Sequence, residues 1–248
     1  MSNEAIVSAC VLIIGNEILS GRTQDVNLAH IAVQLNEHGV QVREARVIPD
    51  IEDVIVDALN ECRTKFDYVF TTGGIGPTHD DITSDCVAKA FGRELYVNQE
   101  IADLIGQREA SPEVMASRMR MARLPQGAEL IRNPFGPAGF QVENVYVMAG
   151  IPRVMHEMLK TALPTLKGKK PVRSRTVSAY TSESQVAKPL GELQDANPSV
   201  DIGSYPFSRN DRYGTSLVVR GTDEAALDAL IVTLRTLITD AGGELVED

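Results

Sequence analysis

The chain has 248 residues, and its 24 Lys and Arg against 34 Asp and Glu leave a formal charge of −10 at neutral pH. With 43% hydrophobic and 23% charged residues it has the composition of a folded protein, not a disordered one, and its length allows one large domain with a small second one. So strong an excess of acid excludes a sequence-independent grip on nucleic acid or an anionic membrane, since both need clustered cations.

Residues 5–14 (AIVSACVLII) form a nearly continuous apolar run, the pattern of a strand buried on both faces. A helix is expected over 25–38, where Val26, Ala29, Ile31, Ala32, Val33 and Leu35 recur at helical spacing and Gly39 supplies the stop. Residues 40–48 read as a strand and 51–63 as a helix. A short strand at 67–72 then runs directly into Gly73-Gly74-Ile75-Gly76-Pro77. Next come a helix over 84–91 with Thr83 as its N-cap, helices over 99–109 and 112–123, and a strand over 145–148. Gly150-Ile151-Pro152 opens another helix, with Pro152 suited to the first turn. Strands separated by helices imply an α/β fold of three layers, with a mostly parallel sheet, over residues 1–168. Lys167-Gly168-Lys169-Lys170-Pro171 reads as a linker. Residues 172–248 then follow the order strand, helix, strand, strand, helix, a small α+β unit.

No apolar run approaches the ~18–20 residues of a membrane span. The start, Met1-Ser2-Asn3-Glu4, lacks the basic region of a secretory signal, so a soluble, cytoplasmic protein is expected. Cys10, Cys62 and Cys86 are odd in number and form no CxxC pair, which points to three buried, reduced thiols and against a disulfide framework or a zinc site.

The densest chemistry lies in residues 71–83 (TTGGIGPTHDDIT), at the carboxyl end of a buried strand, where open α/β sheets place ligands. Gly73, Gly74 and Gly76 let backbone amides approach a ligand, with Thr72 and Thr78 alongside, and the helix start that follows favours an anion. The alternative is a tight turn without a ligand. A dinucleotide fingerprint is excluded because His79 stands where its third glycine would fall, and no GK[ST] exists for a P-loop. Asp80 and Asp81 suggest a divalent cation held by oxygen ligands. His79 reads either as a base or ligand or as a surface hydrogen-bonding group. Asp50 follows the second strand and reaches the same sheet edge, either as the N-cap of the next helix or as part of the site. Gly15, Asn16, Glu17 and Gly21 follow the first strand, where Asn16 and Glu17 could bind a metal or ligand and the glycines could instead be simple turns. Asp25 and Asn27 continue that set, and Gly150 and Pro152 follow the last strand, so Gly15, Glu17, Gly21, Asn27, Gly150 and Pro152 join the candidate ligand- or phosphate-binding residues. Three strand-end loops thus each bring a carboxylate to one edge.

These segments resemble the MoaB/Mog-like molybdopterin-binding fold: Gly15 to Gly21 (GNEILSG), Pro49-Asp50, Thr72 to Thr83 (TGGIGPTHDDIT) and Ala149-Gly150-Ile151-Pro152. More narrowly they are similar to the amino-terminal domain of CinA and the corresponding domain of FAD synthase. Thr181-Ser182-Glu183-Ser184 and Gly203-Ser204-Tyr205-Pro206 resemble the small KH-like domain that follows in this family. The resemblance implies that Asp50 and Asp81 are the functional aspartates and that Gly73 to Gly76 cradle a phosphate. It implies metal-dependent hydrolysis of a dinucleotide-type pyrophosphate such as ADP-ribose or FAD. Asp50, Asp80 and Asp81 would be the catalytic and metal-binding residues, with Mg²⁺, Co²⁺ or Ni²⁺ as the cation. The alternative is a molybdopterin-binding or adenylylating protein. A homo-oligomer, dimer or trimer, is also expected. Residues 133–140 (NPFGPAGF) depart from the family's Ala-Pro-Gly-Phe ending, because Pro137 precedes Ala138.

Other features have plainer readings. Met115 and Met119 suit core packing or an oligomer face, Arg118, Arg120 and Arg123 a solvated face with phosphate contact as the alternative, and His30, His38 and His156 have no metal-ligand spacing. Residues 172–248 lack the GxxG loop that clamps nucleotides in KH modules, so this unit reads as structural or dimerising.

Overall fold

The computed structural model describes residues 6–246. They fall into two compact units that divide between Lys169 and Lys170.

In chain order the first unit contains β1 (Ser8–Ile14), α1 (Asn16–Leu19), α2 (Asn27–Glu37), β2 (Gln41–Ile48), α3 (Glu52–Lys65), β3 (Tyr68–Thr72) and α4 (Thr83–Phe91). It continues with β4 (Leu95–Val97), α5 (Gln99–Gly106), α6 (Pro112–Met119), β5 (Arg123–Pro125), β6 (Glu129–Ile131), β7 (Gly139–Val142), β8 (Val145–Met148) and α7 (Pro152–Ala162). Its main sheet has the order β2-β1-β3-β8-β7-β6. β1 pairs in parallel with β2 and β3, and β3 with β8, so all four strands end at one edge. β7 runs antiparallel to both β8 and β6.

Side chains of a strand alternate between faces, and β1 divides its apolar residues accordingly. Cys10, Leu12 and Ile14 pack with Ile55, Leu59 and Cys62 of α3 and Cys86 and Val87 of α4. Ala9, Val11 and Ile13 pack with Ile31 and Leu35 of α2 and Met155 and Leu159 of α7. Helices on both faces of a mostly parallel sheet give the three layers expected from sequence. Met115, Met119 and Met121 pack against the first of these cores.

Several boundaries differ from the sequence expectation. The helix at 112 ends at Met119, a 3-10 turn follows, and Arg123 opens a strand. Thr83 does not cap α4: it is the helix's first residue, and its hydroxyl donates to the Gly73 carbonyl at 3.1 Å. The strands β4 to β7 carry only three or four residues each, too few for the pattern of alternation to mark them.

The second unit holds β9 (Arg173–Tyr180), α8 (Glu183–Ala196), β10 (Asp201–Arg209), β11 (Arg212–Gly221), α9 (Glu224–Asp240) and β12 (Glu244–Leu245). The strands pair antiparallel in the order β10-β11-β9-β12. Val177, Ala179, Leu217 and Val219 of the sheet pack with Val186 of α8 and Leu227 and Leu234 of α9. A reciprocal capping box between Ser182 and Gln185 starts α8. No helix among the described residues is long and apolar enough to cross a membrane.

Candidate functional site

The four loops that leave β1, β2, β3 and β8 meet at the common edge because the chain laces the strand ends together. The Gly15 amide donates to the Ile48 carbonyl, and the Gly73 amide to the Met148 carbonyl, each at 3.1 Å. Gly73 has φ +99, and a Cβ there would lie 2.2 Å from the Ile14 carbonyl oxygen, so only glycine lets β1 and β3 approach this closely. Gly74 follows with φ +67. Successive residues of this kind turn backbone N–H groups toward one side, an arrangement that attracts anions. The amides of Gly74, Ile75 and Gly76 have no acceptor among the described residues.

Asp81 closes the same loop. Its Oδ2 accepts the Thr78 amide at 2.8 Å and the Thr78 hydroxyl at 2.5 Å. A Cβ on Gly76 would lie 2.6 Å from that oxygen, so this glycine makes room for the carboxylate. Asp81 is half-buried, and its Oδ1 has no donor among the described residues. Asp80 is exposed, with its carboxyl held below the usual range by a hydrogen bond from Thr78, and His79 stands outside this packing. The His79 side chain is 97% exposed, and its Nδ1 lies 3.9 Å from Asp80 Oδ1.

Asp50 has neither of its readings' simplest form. It does not cap α3, which starts at Glu52 with Ile51 in the capping position and no side-chain bond. Its Oδ2 instead accepts the Asn16 amide at 2.9 Å, tying the β2 loop to the β1 loop. Glu17 folds back over Gly15, with carboxylate oxygens 2.6 Å from where a Gly15 Cβ would be. Gly21 makes an open turn at φ +72. Asn27 is buried, and its Nδ2 donates to the Gly150 carbonyl at 2.8 Å, fixing α2 to the loop before α7, while its Oδ1 is buried without a partner among the described residues. Asp25 accepts the Leu28 amide at 2.9 Å at the start of α2. Thr72 is buried at the end of β3, and Pro152 opens α7 at the exposed edge.

Asp50, Asp80 and Asp81 are not gathered into a finished metal cage. Among the described residues, the one set of three metal-type side chains with ligand atoms all within 4.8 Å of one another is Cys10, Glu44 and Cys62. The free oxygens of Asp50 and Asp81 are still the hard donors that Mg²⁺-class ions take, and such ions usually use one or two carboxylates, several waters and the substrate's phosphates. The donor set fits a cation that arrives with its ligand.

Arg120, read from sequence as one of three arginines on a solvated face, is half-buried instead. Its Nη2 donates to the Asp81 carbonyl at 3.3 Å, and its Nε is buried without a partner among the described residues. Its neighbours do other work: Arg123 pairs with Asp85 at 2.7 Å and Arg118 donates to the Arg108 carbonyl at 3.3 Å. Nothing in the spacing of the three arginines marks out the middle one. Two cavities, of about 380 and 200 Å³, share the wall made by Asn133 and Gly136. Asn133 braces that loop, donating to the Pro137 carbonyl and accepting from the Phe135 amide, both at 2.9 Å, and Arg153 stacks 3.9 Å over the Phe135 ring. The loop where the sequence departs from the family pattern is therefore an ordered cavity wall.

Residues 10–168 match the family described as "Probable molybdopterin binding domain", and residues 171–242 match "FAD synthase, middle domain". A protein of Archaeoglobus fulgidus is 31% identical over 227 residues, covering 88% of this chain and 97% of that one. A CinA-like protein of Citrifermentans bemidjiense is 40% identical over 167 residues, 64% of this chain and 40% of its own length. The solved structure of the protein CinA from Thermoplasma acidophilum superposes with a TM-score of 0.58 at 34% identity, covering 64% of this chain and 97% of that one.

Proposed function

The chain belongs to the family of probable molybdopterin-binding domains, in its CinA-like form, and from that membership we propose that it hydrolyses a dinucleotide-type pyrophosphate of the ADP-ribose or FAD class. The observation that carries this reading is the row of unpaired amides at Gly74, Ile75 and Gly76 beside a half-buried Asp81 with one oxygen free. Amides and the α4 N-terminus hold phosphate oxygens without any lysine. Asp50 and Asp81 keep one oxygen each for a divalent cation while the other fixes the loop. When bound, such a cation supplies charge neutralisation at the phosphates and a more acidic water. His79, exposed at the same loop, is the group available to take up the proton as water adds to one phosphorus and the anhydride bond breaks to give two monophosphates, while Asp80, held below the usual carboxylate range by a hydrogen bond from Thr78, stays ionised. The match of residues 171–242 to the FAD synthase middle domain supports a flavin or adenine dinucleotide as the substrate class. Incubation with ADP-ribose or FAD plus Mg²⁺, Co²⁺ or Ni²⁺, followed by chromatography of the nucleotides, tests it. Absence of metal-dependent mononucleotide release with all three ions rejects the reading.

A second reading, binding or adenylylation of molybdopterin, rests on the family match over residues 10–168. It requires the same amide row to hold the pterin's phosphate. Titration with a fluorescent pterin separates the two, since saturable binding without anhydride cleavage supports this one alone.

A further inference from the structure

Cys10 on β1 and Cys62 in the last turn of α3 are 52 residues apart in sequence, yet their sulfurs lie 3.3 Å apart. Both side chains are fully buried. A β-bulge arranges the surroundings: Ala9 pairs with Val42 but Cys10 with Glu44, so Arg43 is the extra residue and Glu44 comes to stand beside Cys10. Glu44 is the third member of the cluster, but both of its oxygens are already held, Oε1 by Arg46 and Oε2 by Lys65, each at 2.6 Å. A carboxylate neutralised in this way is a poor metal ligand, and what remains is a pair of sulfurs in contact beside a guanidinium.

We propose that Cys10 and Cys62 form a redox-responsive dithiol that closes to a disulfide between β1 and α3 on exposure to a hydroperoxide, with Cys62 as the attacking sulfur. The bond accepted from the Cys10 thiol favours the thiolate at Cys62 and outweighs its burial, while the charge of Arg46 is set against those of Glu44 and Glu61, to which it is bonded. Cys10 is held protonated by the bond it donates and by its burial. The Cys62 thiolate attacks the peroxide oxygen, the O–O bond breaks, and the departing oxygen leaves as water or alcohol after taking a proton. Cys62 is then a sulfenic acid, oxidised by two electrons. The Cys10 sulfur displaces the hydroxyl, which departs with the Cys10 proton as water, and the S–S bond forms. A dithiol reductant returns both thiols. Because the sulfurs are buried, the rate follows local opening of α3. Cys86 lies in the same core, but burial pushes its thiol up to about 12 and it has no sulfur partner among the described residues. The link would join the strand that leads to Gly15 with the helix that follows Asp50.

The full chain is treated with hydrogen peroxide, quenched in acid, unfolded, alkylated and digested without reductant for mass spectrometry. The expected result is a Cys10–Cys62 peptide pair about 2 Da lighter than the sum of its reduced halves, with Cys86 alkylated and the link lost on dithiothreitol treatment. Cys86→Ser leaves the link in place, and Cys10→Ser removes it. The oxidised protein also melts several degrees higher, because the closed loop restricts the unfolded chain. Alkylation of all three cysteines after peroxide, oxidation of Cys62 to its acids without a link, or a link through Cys86 overturns the proposal. The wild-type peptide map decides this even if a serine variant fails to fold.

Discussion

Replacing Asp81 separates its structural role from its chemical one. One oxygen, Oδ2, accepts two hydrogen bonds from Thr78, and the other is free. Asp81→Asn can present its amide oxygen to the same two donors, so the turn survives, while a donor NH₂ replaces the free Oδ1. Asp81→Ala strands both Thr78 donors. Each unmade bond costs about 1–3 kcal/mol when buried. Thr78 is exposed and Asp81 only half-buried, so water replaces part of the loss and a total of about 1–2 kcal/mol is expected. At ~2–4 °C per kcal/mol for a protein of this size, Asp81→Ala melts about 2–8 °C below wild type. Asp81→Asn stays within about 2 °C of it. Differential scanning fluorimetry with ADP-ribose and Mg²⁺ reads the other half: the wild type gains stability from its ligand, and both variants lose that gain. If Asp81→Asn destabilises as much as Asp81→Ala, the loop is not held as described. If it retains metal-dependent ligand stabilisation, Asp81 is not a ligand for the cation.

Gly73→Ala places a Cβ 2.2 Å from a backbone carbonyl in a left-handed conformation, and urea unfolding should show a loss of about 2–4 kcal/mol; a change under ~0.5 kcal/mol contradicts the close approach of β1 and β3. Asn27→Ala removes the donor that a buried side chain gives to the carbonyl of the exposed Gly150, where water can in part replace it, and should cost about 0.5–1.5 kcal/mol by the same measurement, whereas no loss would show that α2 and the Gly150 loop are not coupled. Burial, and then the stacked His156 ring 3.6 Å away, lower the His30 pKa below its ordinary 6.5. The unfolded chain therefore binds more protons there, and stability is lost as pH falls through 6.5 toward the folded-state pKa and regained as pH rises. Urea midpoints between pH 5 and 8 should show His30→Gln flattening that slope, and an unchanged slope refutes the assignment.

Sequence alone made the parallel frame legible because β1 is apolar on both faces and the intervening helices carry clear 3.6-residue stripes. It brought the candidate residues to one edge for the same reason: once the strands are parallel, their carboxyl ends must share an edge, and Gly15, Asp50, Gly73 and Gly150 follow those ends. The short strands β4 to β7 were not legible, since three or four residues of mixed polarity cannot show a period. The roles inside the site were not legible either. Asp50 bonds the Asn16 amide 34 residues away, Thr83 turns back to Gly73, and Arg120 reaches Asp81 across 39 residues. Each depends on tertiary approach that no local pattern encodes. The contact between Cys10 and Cys62 is the same kind of fact, and spacing in the chain pointed the other way.

The excess of acid in the composition remains compatible with a phosphate ligand, because backbone amides and a cation can hold it where no basic cluster does. The most direct test of the proposed hydrolysis is the release of AMP from ADP-ribose or FAD by the wild-type chain with Mg²⁺, Co²⁺ or Ni²⁺ and with EDTA. Release with at least one metal, its loss in EDTA and its loss in Asp81→Asn are the expected results. Intact substrate with every metal, or release undiminished by EDTA, contradicts metal-dependent pyrophosphate cleavage at this site.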